Sequence, residues 1–447
     1  MQTNTERPLH ASTPQYQSSW HPQYSLGQVP GHTLSVDHRF RFYSTAATRY
    51  SDVTTYKGVV MSQSSEFRFT FLSHDHNIDL SSAHLTAEDM GLPSDIAIEC
   101  KLQTLRGGKQ QGSKLITLTV GDKVLRVIPT RAMAILDASR GELRYGWDSP
   151  ITEVVHPSFI NQEASGGIGW LDGFNEMLVR CGYQWAGHPG EDNGDMLTLH
   201  GRIQNTPADE VVLTVEQFPP YRVTLSGRVD EKRFKFTNFE VHTELSLTPD
   251  EPYIHIQDTL TNLSNYDNTY QAIYHNNFGA PLLEEGASLH VAATQISPFN
   301  DYAVNGVHEW GQLSAPTENF DEMVFNVLPI ADEEGMSHAL MKNAAGDAAI
   351  EVSWAQDTLP VLTLWKNTDT VEQGYVVGIE PGTSFAYNRK HQWNLGLVPT
   401  IKGKASKVFK VRFGLLTDSE SINTSLARID ALQLTPTLVS NNPLVAL

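Results

Sequence analysis

Three stretches of the chain set an ionisable side chain beside turn-forming and aromatic residues, a combination suited to acid–base chemistry. In Leu199-His-Gly-Arg-Ile-Gln-Asn-Thr-Pro207, His200 precedes a glycine, so the backbone beside the imidazole can turn tightly or approach a ligand closely. In Ala272-Ile-Tyr-His-Asn-Asn-Phe-Gly-Ala-Pro281, His275 ends an alternating stretch and enters a polar loop broken by Gly279 and Pro281. In Val376-Val-Gly-Ile-Glu-Pro-Gly-Thr383, an apolar run halts at Glu380 and Pro381. A carboxylate at the end of a buried strand is set for a raised pKa, because desolvation disfavours its charge. An imidazole titrates near neutrality and a carboxyl needs only a modest upward shift to act as a base, so such groups can take a proton from one oxygen and return one to another. Each also has a structural reading: a strand histidine is usually a satisfied core group, and Glu380-Pro381 would serve equally to end an edge strand.

Other chemistries leave little trace. The run Gly166-Gly-Ile-Gly-Trp-Leu-Asp-Gly173 misses a dinucleotide fingerprint, because Asp172 stands where the last glycine belongs and no βαβ unit surrounds it. Walker A, H-E-x-x-H and G-x-S-x-G patterns are absent. His74-Asp-His76 would set two imidazoles on one strand face, but no suitably spaced Glu follows, which favours a surface or loop role. His10, His21, His32 and His38 are irregularly spaced without an acidic or Cys cluster, so no metal site is assigned.

The net charge of −19 would repel nucleic acid and anionic membrane. Two cysteines, Cys100 and Cys181, are too few to staple a secreted fold, and no basic start followed by an apolar stretch opens the chain. No segment approaches the ~20 apolar residues of a membrane span. These features predict a cytoplasmic protein.

The elements that must position these groups are strands. Length alone would allow about three domains, yet large β architectures run longer as one unit. Residues 1–66 are rich in Ser, Thr, Pro, Tyr and His without periodicity and read as an N-terminal arm, leaving 67–447 as the main domain. From Phe67 onward, short Val-, Ile-, Thr-, Phe- and Tyr-rich runs recur between Gly, Asn and Pro breaks. In Phe239-Glu-Val-His-Thr-Glu-Leu-Ser-Leu247 the alternation is strict, the mark of a half-buried antiparallel strand. Arg222–Ser226, Tyr253–Gln257 and Val408–Phe413 alternate similarly. Helices are expected only at Ser82–Met90 and Ser419–Leu432, each capped by its opening Ser. The reading is an all-β chain folded as a large antiparallel β-sandwich, with no doubly wound parallel sheet.

Taken together, the His-Gly turn, the second His beside an Asn/Phe loop and the late Glu-Pro resemble the galactose mutarotase (aldose 1-epimerase) superfamily over roughly Thr130 to Leu416. Pro129-Thr-Arg-Ala-Met-Ala-Ile135, Gly146-Trp-Asp-Ser-Pro150, Phe174-Asn-Glu-Met-Leu-Val-Arg-Cys-Gly182 and Leu199-His-Gly-Arg-Ile203 look like an uncharacterised aldose-epimerase-like branch. The resemblance implies a supersandwich fold and interconversion of the α and β anomers of a free aldose or sugar acid. It makes Glu380 the base at O1, His275 the acid at the ring oxygen and His200 an assisting hydrogen-bond donor, with no metal or cofactor. In that superfamily an Arg and an Asp hold sugar hydroxyls; the candidates here are Arg131, Arg180 and Asp301, none matching its pattern closely. Trp365 is either a stacking platform for the apolar face of a pyranose or a core residue. The expected partner is a small-molecule sugar, with neither nucleic acid nor membrane and at most a second copy of the chain in a homodimer. Two rivals remain open: a non-catalytic carbohydrate-binding or sensing protein on the same fold, and a glycoside hydrolase or lyase, which needs a second carboxylate or a Tyr opposite Glu380.

Overall fold

A computed structural model describes residues 65–444 of the chain; the arm at 1–66 lies almost entirely outside the described residues, as do its four histidines. Within them the alternating segments become two large sheets, one of ten strands and one of 13. The ten-stranded sheet is antiparallel throughout. The larger one departs from this only where Ala293–Pro298 meets the short strand Leu438–Val439 in parallel.

The period of two explains how the sheets stack. In Asn238–Leu247, Phe239, Val241, Thr243, Leu245 and Leu247 are buried while the residues between them are half-buried. Register sets Leu245 between Leu225 and Ile256, so neighbouring strands present one continuous apolar face. That face meets the larger sheet in a single core to which both contribute, with Phe409 and Phe413 packing near Tyr274 and Phe278. Full burial of each such side chain contributes about 1.5–3 kcal/mol.

Four strands at the middle of the larger sheet matter most: β1 (Leu178–Tyr183), β2 (Gln271–Phe278), β3 (Val361–Asn367) and β4 (Val376–Gly382). They lie side by side in the order β3-β4-β2-β1. β1, β2 and β4 are buried along their whole length, which requires cover on both faces. Tyr274, Phe278, Val377 and Ile379 point into the inter-sheet core, whereas Val179, Cys181, Ile273 and Val376 pack on the outer face beneath Trp147, Trp170 and Phe174. His275 shares the parity of Ile273, and Glu380 that of Val376, so both project outward.

Helix α1 (Ser419–Leu432) forms where the sequence predicts it, although its cap is Asp418, whose carboxylate accepts the amide hydrogen of Ser421 at 2.8 Å. The other expected helix is absent. Ser82–Leu85 is a strand paired with Cys100–Gln103, and the acidic stretch after it closes into turns where Asp89 accepts from Thr86. Tertiary pairing overrides a weak helical pattern there. His74 and His76 are exposed in a turn, and the Asp75 between them pairs with Arg228.

Candidate active site

The register of β2 and β4 brings the late carboxyl to the second histidine. Pairing Ile273 with Gly382 and Asn276 with Ile379 sets His275 directly opposite Glu380, and their side chains meet with His275 Nε2 at 3.3 Å from a Glu380 oxygen. Thr363 of β3 is the next residue along the same row. Both corrections to the sequence reading follow from this placement: His275 lies within a strand rather than at its end, and Glu380 sits in a central strand rather than closing an edge.

His200 arrives from a turn. Its backbone has φ +57°, its N–H donates to Gly187 O, and its carbonyl accepts from Gly182 N. Gly201 follows at φ +77°, where a Cβ would collide with the carbonyls of Trp185 and Gly182; glycine is required for the turn to close against β1. The imidazole so placed meets His275 edge-on, ring centroids 5.5 Å apart, and Trp170 at 4.8 Å.

His200, His275 and Glu380 therefore line one cavity of about 210 Å³. Trp170, Phe174 and Trp365 wall it, the last with its ring 5.5 Å from that of His275. Three buried polar atoms of the lining, His200 Nδ1, Trp170 Nε1 and Thr363 Oγ1, lack a hydrogen-bond partner among the described residues. Unpaired buried polar atoms cost about 1–3 kcal/mol each, so a hydroxylated ligand would supply what they lack.

Burial governs protonation in the site. It pushes the Glu380 carboxyl well above the usual carboxylate range, with the Glu322 charge adding to the effect. It lowers His275 to about 4, against a partial opposing effect of Asn277, and holds His200 well below its ordinary value, helped by the neighbouring His275 and His188. The tautomer of His275 follows from Asn277. That amide donates through Nδ2 to the carbonyls of Glu176 and His275, so Oδ1 faces the ring and accepts from Nδ1–H at 2.7 Å. The Nε2 lone pair is left pointing at Glu380. Carboxyl and imidazole thus share one proton, and moving it across 3.3 Å creates carboxylate and imidazolium without changing the net charge of the pair.

The other sequence candidates divide. Trp365 lines the cavity and donates from Nε1 to Glu322 at 2.9 Å. Arg131 does not line it: both it and Glu176 are fully buried, paired at 2.6 Å, and its remaining nitrogens hold Asn205 and the carbonyl of Gly173. Its work is to pin the loop that carries Phe174. Arg180 lies on the core side of β1, paired with Asp258 beneath Tyr183 and Tyr274. Asp301 is exposed in the first turn of the short helix Asp301–Val304, outside the lining. The cavity's second carboxylate is Glu322, and a third histidine, His188, joins it. Glu322 precedes the strand Met323–Pro329 with no local signal to mark it. His188, between Gly187 and Pro189, carries turn chemistry that was open to reading. Trp170 belongs to the glycine-rich run weighed above as a nucleotide motif, which instead wraps the cavity mouth. Among the described residues no cluster of three or more His, Cys, Asp or Glu is arranged to hold a metal ion, and no helix is long and apolar enough to cross a membrane.

Two large, mostly antiparallel sheets packed on one shared core make the chain a β-sandwich of the galactose mutarotase-like class. A family model described as "Domain of unknown function (DUF4432)" matches residues 110–415. A solved structure described as "a putative aldose 1-epimerase" from Klebsiella pneumoniae is similar at 41% identity and a TM-score of 0.84, covering 85% of this chain and 100% of that one. A galactose mutarotase-like protein from Clostridium acetobutylicum aligns at 14% identity and TM-score 0.49, over 71% of this chain and 98% of that one. A galactose 1-epimerase from Lactobacillus acidophilus aligns at 10% and 0.46, over 71% and 98%. A search of curated proteins finds no match. The chain belongs to the galactose mutarotase-like superfamily and, within it, to the family with that family model.

Proposed function

We propose that the protein interconverts the α and β anomers of a free monosaccharide, an aldose or its acid. The observation that carries this reading is the convergence of His200, His275 and Glu380 in one cavity. Its volume is small against the ~300–1,000 Å³ of pockets for drug-sized ligands and suits a single sugar ring.

In the forward step Glu380, as carboxylate, takes the O1 proton. The C1–O5 bond breaks with its electron pair passing to O5, which takes the Nε2 proton of imidazolium His275 while C1 becomes an aldehyde. The unpaired Nδ1 of His200 is available to hydrogen-bond the same ring oxygen. Rotation about C1–C2 presents the other carbonyl face, and the transfers then run backwards. Ring opening leaves Glu380 protonated and His275 neutral, the state that burial favours. Positioned acid and base groups contribute typically ~10²–10⁴-fold.

Glycoside hydrolysis fits less well, because a cavity of this size leaves no space for a leaving-group sugar. A purely sugar-binding role is separated by measurement. Exchange NMR on equilibrated galactose, glucose and their uronic acids should show faster α–β exchange with catalytic amounts of protein. Binding of a sugar without faster exchange of any would reject the proposal.

A further inference from the structure

At the mouth side of the cavity, away from the Glu380–His275 row, stand a carboxylate and an imidazole for which the proton transfers need no role: Glu322 and His188. One oxygen of Glu322 accepts from Trp365 Nε1, which fixes the carboxylate against the aromatic wall and leaves its other oxygen without a side-chain donor among the described residues. His188 is held by its backbone, its N–H donating to Ala386 O at 2.7 Å and its carbonyl accepting from Asn388. Its ring rests on Phe299, centroids 5.1 Å apart. Burial lowers the pKa of His188, partly offset by the Glu322 charge, so it faces the cavity as a neutral ring able to donate or accept.

The cations are equally informative. Among the described residues no Lys or Arg lines the cavity. Arg131 and Arg180 are spent on Glu176 and Asp258. Lys366, next to Trp365, donates to the carbonyls of Glu309, Trp310 and Gln312. Arg389 is tied to Thr269 and the carbonyl of Gln184, near Asp192. A sugar carboxylate or phosphate entering the cavity would meet the Glu322 carboxylate with no counter-charge among the described residues, and recognition of such groups ordinarily relies on Arg or Lys.

Building on the reading of the cavity as an anomer-exchanging site, we propose that Glu322 and His188 form its specificity end: they hold hydroxyls of an uncharged monosaccharide, and Glu322 turns away sugar acids and sugar phosphates. A second negative charge about 5 Å from Glu322, at an effective dielectric constant of ~20, weakens binding by roughly 10²-fold. Loss of one hydroxyl contact at His188 costs about 3- to 10-fold.

The test is titration of the intact protein, read by the fluorescence of cavity tryptophans Trp170 and Trp365, with galactose, glucose, galacturonate, glucuronate and glucose 6-phosphate, alongside exchange NMR on the same sugars. Wild type should prefer the neutral sugars by at least ~10²-fold. Glu322→Gln, which keeps an acceptor for Trp365, should narrow that preference by about 10-fold or more. His188→Asn should raise KM for neutral sugars by about 3- to 10-fold with a smaller loss of kcat and unchanged thermal stability, a split that a merely structural role would not give. Uronates bound as tightly as aldoses, or a preference untouched by Glu322→Gln, would overturn the inference even if exchange is accelerated. Charge discrimination without acceleration of any sugar would support the inference and reject the anomer-exchange reading instead. Binding of none of these sugars would overturn both.

Discussion

Replacing Glu380 by Gln separates a catalytic carboxyl from a structural one, because the two roles predict opposite signs in stability. The amide keeps the shape and hydrogen-bonding capacity of the carboxyl while removing its ability to accept a proton. If Glu380 takes the O1 proton, exchange should fall by ~10²–10⁴-fold, equivalent to about 2.7–5.4 kcal/mol of barrier. Stability should move the other way. Burial raises the folded pKa of Glu380 above its unfolded value of ~4.3, so the folded protein binds more protons between the two. Stability from this group is therefore fully present below ~4.3 and is lost as pH rises through the folded pKa. The Gln variant carries no such loss, so the difference between variant and wild type should grow in the variant's favour as pH rises over that interval. The assay is exchange NMR or polarimetry on fresh α-anomer, corrected for the spontaneous rate, paired with thermal unfolding from pH 4 to 8. Unchanged exchange on a sugar that wild type accelerates would refute the base assignment. A variant destabilised by the same amount at every pH would refute the argument from burial.

Related changes test the surrounding parts. His275→Asn should lower exchange comparably, and the double variant with Glu380→Gln should lose little more, since both groups act on one transition state; because folded His275 sits near 4, its loss should also relieve the destabilisation that sets in below the unfolded value of ~6.5. Asn277→Leu removes the acceptor of His275 Nδ1–H and should cut kcat by about 10²-fold through misorientation, with KM little altered. Gly201→Ala, forced against two backbone carbonyls, should displace His200 and lower kcat, while leaving far-UV circular dichroism unchanged. Arg180→Met should cost about 3–5 kcal/mol in denaturant unfolding by stranding Asp258 in the core, with sugar KM unchanged, whereas a sugar-contacting arginine would raise KM.

The alternating runs were legible because a period of two is a local property: Phe239–Leu247 declares its buried face before any partner strand is known. The order of His200, His275 and Glu380, each beside turn-forming residues, was legible too, since a His-Gly turn and a Glu-Pro strand leave their mark in a few consecutive residues. What the chain does not write locally is register. Only the pairing of Ile273 with Gly382 turns His275 and Glu380 into cross-strand neighbours. A shift by one residue would send either side chain into the inter-sheet core. The same face selection took Arg180 from the candidate site into an ion pair with Asp258, while Asp301 is exposed on a short helix and Glu322 reaches the cavity from just before a strand. Residue type and local pattern thus determined the strands and the chemistry on offer, because both depend on near neighbours. Which charges face a ligand and which face each other was decided by tertiary structure, because that depends on contacts between strands far apart in the chain.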